Sequence, residues 1–322
     1  MMRTIGKRLA DHYFLLRIPN LALIMLAQFL LWFCIGGNLY TGTSLPRPFG
    51  LADLIMLTLA TILVAAGGYV INDLYDVDID ALNGKKRNRV GVAFSEKQVW
   101  TLYIILNLSA TALGFILGYR VEAFQLGFIF PVVAGLLWFY STRYKGMLFW
   151  GNIIIALLSA LVILLVWLFE YMKLRSDALV YIDVFKGIPF VGHFIWGYAL
   201  FAFLTTLLRE WIKDVQDMRG DERYGSRTLP VVTGMGNMKV VLIILTFLIM
   251  GLIAWVQYVL WQHGFMYTAI YVLLAVQLLF VYLLVRLFRA GEPGEMSLPS
   301  VIVKMIYFAG ILSMELIYID LS

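Results

Sequence analysis

Long apolar runs separated by short polar segments recur from one end of the chain to the other. Stretches close to the ~20 residues that an α-helix needs to cross a bilayer fall at about 18–38, 51–71, 98–118, 123–140, 150–169, 190–208, 239–261, 266–288 and 300–319. This pattern predicts an all-α, polytopic membrane protein with about nine transmembrane helices. Lys304 and Glu315 interrupt the last run. Composition agrees: 62% of the 322 residues are hydrophobic and 14% charged, whereas a soluble domain is about half apolar and a quarter charged. No Ser-, Pro- or Gly-rich linker and no shift in composition marks a second domain. The expectation is one membrane domain over residues 1–322.

The basic residues orient the spans. Of the 25 Lys and Arg, only Arg47, Arg120, Lys173, Arg175 and Lys186 fall on one side, which leaves 20 on the other. By the positive-inside rule the N-terminus and the loops at 72–97, 141–149 and 209–239 are cytoplasmic. The basic N-terminal segment lacks a small-residue cleavage signal and reads as a retained tail. The net charge of +5 needs no nucleic acid, since these residues face anionic headgroups. Nothing calls for an obligate protein partner.

The polar residues that change the picture are aspartates. Asp73, Asp76 and Asp80 follow one apolar run, and Asp214, Asp217 and Asp221 follow another, each 141 residues further on. On a helix, positions i, i+3 and i+7 share a face, so each triplet predicts a carboxylate face at the cytoplasmic end of a span. Two such faces are expected to converge on one pocket. Asp78 lies roughly 140° from Asp73 around the helix and falls off the face, whereas Glu210 falls on the face of the second triplet. Three like charges at a partly desolvated membrane edge repel strongly unless a cation joins them. The single Cys34 and the scattered His12, His193 and His263 offer no soft-ligand cluster, so the metal expected is a hard, oxygen-bound ion, Mg²⁺.

Acids holding Mg²⁺ beside Lys and Arg suit a diphosphate ester, because the metal bridges two sets of anionic oxygens and neutralises the leaving group. If the rest of the substrate is an isoprenoid, its tail would lie among the spans, and a dry aromatic pocket would shelter the allylic cation left by cleavage. The basic groups Lys85, Lys86, Arg87 and Arg89 fit either a grip on phosphate or a solvated positive-inside loop. For the second cluster, a helical face laced by Arg209, Lys213 and Arg219 is the plain alternative.

Asn72-Asp73-x-x-Asp76-x-x-x-Asp80 resembles the first signature of the UbiA superfamily of intramembrane prenyltransferases, and Asp217-x-x-x-Asp221 resembles the second. Arg17-Ile18-Pro19-Asn20, the segment Tyr140 to Lys145 and the pair Gly151-Asn152 resemble further family motifs. The run from Arg209 to Asp221 with Thr228-Leu229-Pro230 is most similar to the geranylgeranylglyceryl phosphate geranylgeranyltransferase branch. In two places the chain departs from the family pattern: Arg87-Asn88 stands for Arg-Pro, and Gln216 for a common Glu.

The resemblance implies a helical bundle around a central cavity with a cytoplasmic-side cap. It implies that Asp73, Asp76, Asp217 and Asp221 are the catalytic acids that hold Mg²⁺, supported by Asp80 and Asp214. Lys145, Arg87 and Lys213 would contact the diphosphate, and Asn20 and Asn72 would orient ligands. Lys145 also reads as a positive-inside anchor and Asn20 as a helix cap. The implied reaction is transfer of a prenyl group from an isoprenyl diphosphate to a lipophilic acceptor, either a glycerol phosphate lipid or an aromatic quinone precursor, within a lipid membrane. Two alternatives are a cation-coupled transporter, whose acids more often sit mid-membrane, and a CDP-alcohol phosphotransferase, whose Asp-Gly-x-x-Ala-Arg segment is absent.

Overall fold

The computed structural model describes residues 10–82 and 88–322, except for the side chains of Ile79 and Leu82. Among them, nine helices are long and apolar enough to cross a membrane: α1 (Ile18–Tyr40), α2 (Leu51–Tyr75), α3 (Glu96–Arg120), α4 (Phe124–Thr142), α5 (Trp150–Ser176), α6 (Ala178–Tyr224), α7 (Leu229–Gln262), α8 (Met266–Arg289) and α9 (Pro293–Leu321). The nine expected spans are all present. Helix α6 runs well past the expected 190–208, its C-terminal part continuing on polar sequence to Tyr224, and α7 begins before the expected 239, at Leu229. Large apolar side chains such as Leu108, Phe247, Trp255 and Leu274 are exposed along the helices, as expected for a chain whose surrounding solvent is lipid. The chain is an integral, multi-pass membrane protein.

Local chemistry sets the helix ends. The side chains of Ser95 and Gln98 form a capping box at the start of α3, satisfying amides that the helix leaves unpaired. Gly225, at φ +81°, ends α6 in the left-handed conformation that glycine adopts without penalty, and Ser226 N–H closes the motif on the Asp221 carbonyl at 2.9 Å. Helix α7 bends at Gly234, whose φ of +80° interrupts the helical backbone.

The helices sort into two compact units. One contains the residues up to Gln28, Pro46–Lys145 and Leu168–Ile182. Here α2 carries a buried aspartate near each end, Asp53 and Asp73, about 30 Å apart along its axis at 1.5 Å per residue. Arg120 pairs with Asp53 at 2.6 Å, and Arg47 donates Nε to the buried Glu170 at 2.7 Å. Between the helices, Gly114 on α3 sits so close to Phe130 on α4 that a Cβ there would overlap the ring.

The other unit contains Phe29–Leu45, Gly146–Trp167 and Asp183–Ser322. Its core joins Leu208, Ile212 and Val215 of α6 to Met238 and Leu242 of α7, Phe280 and Leu283 of α8, and Ile302 and Ile306 of α9. Polar contacts between helices add directionality that lipid cannot supply: Tyr198 Oη meets Ser313 Oγ at 2.7 Å, and Tyr307 donates to the Ala202 carbonyl at 3.0 Å. Both ends of α8 are held by side chains from elsewhere. Asp320 accepts from the Thr268 amide at 2.8 Å, and Lys239 donates to the Phe288 and Ala290 carbonyls at 2.7 and 2.9 Å.

The close approach at Gly114 gives a packing prediction. Gly114→Ala is expected to lower stability by about 1–3 kcal/mol through overpacking, whereas Gly135→Ala, where a Cβ meets nothing within 4 Å, is expected to be neutral or stabilising. Thermal unfolding of the two variants in detergent checks this, and Phe130→Leu should recover part of the Gly114→Ala loss.

Candidate functional site

The first signature is built where α2 ends. The helix runs through Asn72 and Asp73 to Tyr75, breaks at Asp76 with φ −95° and ψ 2°, and resumes as a short helix over Val77–Leu82. The single unbroken carboxylate face expected over Asp73, Asp76 and Asp80 is therefore bent at its middle member. The break is held locally: Asp76 N–H still reaches the Asn72 carbonyl at 3.0 Å, and the Asn72 side-chain amide donates to Asp76 Oδ2 at 2.6 Å. Asp73 and Asp76 are buried, Asp80 is partly buried and Asp78 is exposed, which agrees with Asp78 lying off the face.

Burying two carboxylates needs compensation, and each receives a cation. Arg17 Nη2 donates to Asp73 Oδ1 at 2.6 Å, and Lys145 Nζ contacts Asp76 Oδ2. Lys145 sits on a single 3₁₀ turn, Tyr144–Gly146, just past α4. Asp76 therefore receives the side chains of both Asn72 and Lys145. Arg17 takes φ +52° immediately before α1, a left-handed conformation costing a residue with a Cβ roughly 1–2 kcal/mol. Its guanidinium also lies 4.8 Å from the centroid of the Tyr69 ring. Asn20, in the first turn of α1, is partly buried, and its backbone amide donates to the Arg17 carbonyl at 2.8 Å.

Asn88, which replaces the proline of the family pattern, is a tether. Its side-chain amide donates to the Asp73 carbonyl at 2.7 Å and to Asp80 Oδ2 at 3.2 Å, and its oxygen accepts from Val90 N–H at 3.0 Å. The expected loss of a fixed φ is offset by three hydrogen bonds that proline could not make. Arg87, the phosphate contact expected in this loop, lies outside the described residues.

The second signature lies on one uninterrupted helical stretch, Ile188–Tyr224. Glu210 and Asp221 are buried, and Asp214 and Asp217 are partly buried. Glu210 takes a hydrogen bond from Arg209 at 2.6 Å and one from Lys213 at 3.3 Å. Lys213 therefore faces an acid of its own helix. Asp214 is held by a neutral partner: Asn152, itself buried near the start of α5, donates to Asp214 Oδ2 at 2.6 Å. Arg219 reaches outward to Glu292 in an exposed pair.

Among the described residues, no three His, Cys, Asp or Glu side chains are grouped as a ready-made metal cage. In the first unit, Arg17 and Lys145 are paired with Asp73 and Asp76. From sequence alone Arg17, Asn88 and Asn152 carry no role in the site. Arg17 and Asn152 belong to motifs that resemble the family's, and Asn88 is marked only as a departure from its Arg-Pro, which points to a lost constraint rather than to a tether.

Comparison with known proteins converges on one family. A model of the UbiA prenyltransferase family matches residues 30–297. The digeranylgeranylglyceryl phosphate synthase of Sulfolobus acidocaldarius is 29% identical over 251 residues, covering 76% of this chain and 80% of that protein. The enzyme of the same name from Methanosphaera stadtmanae is 30% identical over 182 residues, which is 56% of this chain and 58% of that protein. That from Ignicoccus hospitalis is 34% identical over 175 residues, or 53% and 51%. These last two alignments span little more than half of the relatives' length. Two solved structures share the fold at 20% identity: one of digeranylgeranylglyceryl phosphate synthase, with a TM-score of 0.60 over 96% of this chain and 99% of that one, and an apo UbiA homolog from Aeropyrum pernix K1, with 0.61 over 89% and 96%. The family model covers most of the sequence, from within α1 to the start of α9, and on that match the chain belongs to the UbiA prenyltransferase family.

Proposed function

We propose that this prenyltransferase transfers an isoprenyl group from its diphosphate to the free hydroxyl of a prenylated glycerol phosphate, in a Mg²⁺-dependent reaction, with residues 1–322 acting as one catalytic domain. The observation that carries the reading is the meeting of Asn72 and Lys145 on Asp76, where two signature segments far apart in sequence hold one buried acid. The glycerol phosphate acceptor is favoured over an aromatic one by relatives named digeranylgeranylglyceryl phosphate synthase. Family membership sets the transporter and CDP-alcohol phosphotransferase readings aside.

The donor set fits the metal. Both signatures offer carboxylate oxygens and nothing softer, the ligand chemistry of Mg²⁺. Asp73, Asp76, Asp217 and Asp221 would hold it, with Asp80 and Asp214 in support. Bound there, Mg²⁺ supplies neutralising charge and Lewis acidity toward the diphosphate leaving group. Lys145 and Lys213 bind diphosphate oxygens, and Arg87 is assigned the same part. Asn72 and Asn20 orient the ligands, and Asn152 fixes the rotamer of Asp214. The bond from the allylic carbon to the diphosphate oxygen breaks, the acceptor hydroxyl forms the new C–O bond, and the hydroxyl proton passes to the released diphosphate. The apolar helices exclude the water that would otherwise capture the allylic cation. The positive-inside charge bias supports a cytoplasmic location for the N-terminus and both signatures.

Three outcomes follow for purified protein supplied with a labelled isoprenyl diphosphate. Asp73→Ala and Asp217→Ala should each lower transfer by at least about 100-fold, since each removes a proposed ligand of the metal that neutralises the leaving group, while leaving expression intact; activity retained by both would contradict the assignment. Chelation of divalent metal should abolish turnover, and added Mg²⁺ should restore it. Asn152→Ala, which removes a hydrogen bond to a charged group worth about 1.5–3 kcal/mol, should slow transfer about 10- to 100-fold.

A further inference from the structure

Arg17 has features that neutralising Asp73 alone does not require. Its backbone is held at φ +52°, which glycine would adopt without strain, so the side chain must be what the position demands. One nitrogen, Nη2, carries the 2.6 Å contact to Asp73. The buried Nε–H has no hydrogen-bond partner among the described residues. The guanidinium is kept in place by the Tyr69 ring, an arrangement that leaves the fork with unused donors. A planar guanidinium with donors to spare is the side chain best suited to grip a phosphate oxygen.

We propose that Arg17 is a diphosphate ligand held in reserve on Asp73. It occupies a carboxylate that Mg²⁺ would take, and moves its donors onto a diphosphate oxygen when metal and donor substrate bind together. Lys145 on Asp76 is the parallel case on the neighbouring acid. The two cations keep a pair of buried carboxylates compensated before ligands arrive, and the incoming anion then accepts the positive charge that the metal displaces. No net charge is stranded at any stage. The inference rests on the Mg²⁺-diphosphate reading above and adds Arg17 to the groups that contact the leaving group.

The test is a pair of binding measurements on the full-length protein in detergent, with Mn²⁺ as the metal probe and inorganic diphosphate as the anion. Mn²⁺ alone is followed by electron paramagnetic resonance, and diphosphate in the presence of Mn²⁺ by calorimetry. Arg17→Gln should bind Mn²⁺ alone several-fold more tightly than wild type, because the competing cation is gone, and should bind diphosphate at least about tenfold more weakly, the loss expected for a charge-assisted contact. A purely structural counter-ion would instead leave both affinities unchanged or weaken both together, and either result would overturn the proposal. Should Arg17→Gln fail to fold, Arg17→Lys decides: weaker diphosphate binding with wild-type Mn²⁺ binding supports the reserve role, and wild-type values for both overturn it. Wild-type protein that binds neither probe would bring down the underlying metal-diphosphate reading itself.

Discussion

Arg17 on Asp73 and Lys145 on Asp76 compensate two carboxylates that the first unit buries almost completely, and the local structure around them follows from that requirement. Breaking a buried pair by removing one partner typically costs about 3–5 kcal/mol. That scale explains why the chain accepts a left-handed backbone at Arg17 and why a single turn at Tyr144–Gly146 is spent on presenting one lysine. It also explains the break in the helix at Asp76, which points that carboxylate at both Asn72 and Lys145. The opposite end of α2 uses the same physics, with Arg120 set against Asp53.

The second unit handles its acids differently. Glu210 absorbs both nearby cations, Arg209 and Lys213, while Asp214 is met by the neutral amide of Asn152. An amide fixes the position of a carboxylate without cancelling its charge. The acids of the second helix are thus oriented on a rigid, unbroken stretch from Ile188 to Tyr224, whereas those of the first are bent around their counter-ions. Both arrangements keep anionic oxygens beside basic residues, the combination a metal-bridged diphosphate uses.

Much of the fold was legible because the bilayer imposes a length: apolar runs near 20 residues can do little else, and all nine appear. Their ends were less legible. Helix α6 continues through Arg209 to Arg223 on polar residues with good helical propensity, which an apolar pattern cannot reveal, and Gly225 rather than the membrane edge stops it. The aspartate spacing places Asp78 off the face, and Asp78 is exposed, but the spacing alone implies a continuous helix through Asp76. The partners of the acids were hidden for a different reason. Arg17 meets Asp73 across 56 residues and Lys145 meets Asp76 across 69, separations that no local periodicity encodes. Asn88 looked like the loss of a proline, and its value as a tether emerged only with the position of Asp80.

The central claim is that the chain moves an isoprenyl group onto a lipophilic hydroxyl. Mass spectrometry of the product made from isotopically labelled geranylgeranyl diphosphate, Mg²⁺ and a panel of prenylated glycerol phosphate and aromatic acceptors tests it most directly. The account predicts a labelled ether-linked glycerol phosphate product whose mass equals acceptor plus one prenyl unit less a proton, with release of diphosphate. A labelled aromatic product would contradict the acceptor assignment, and the absence of any prenylated product across the panel would contradict the proposed reaction as a whole.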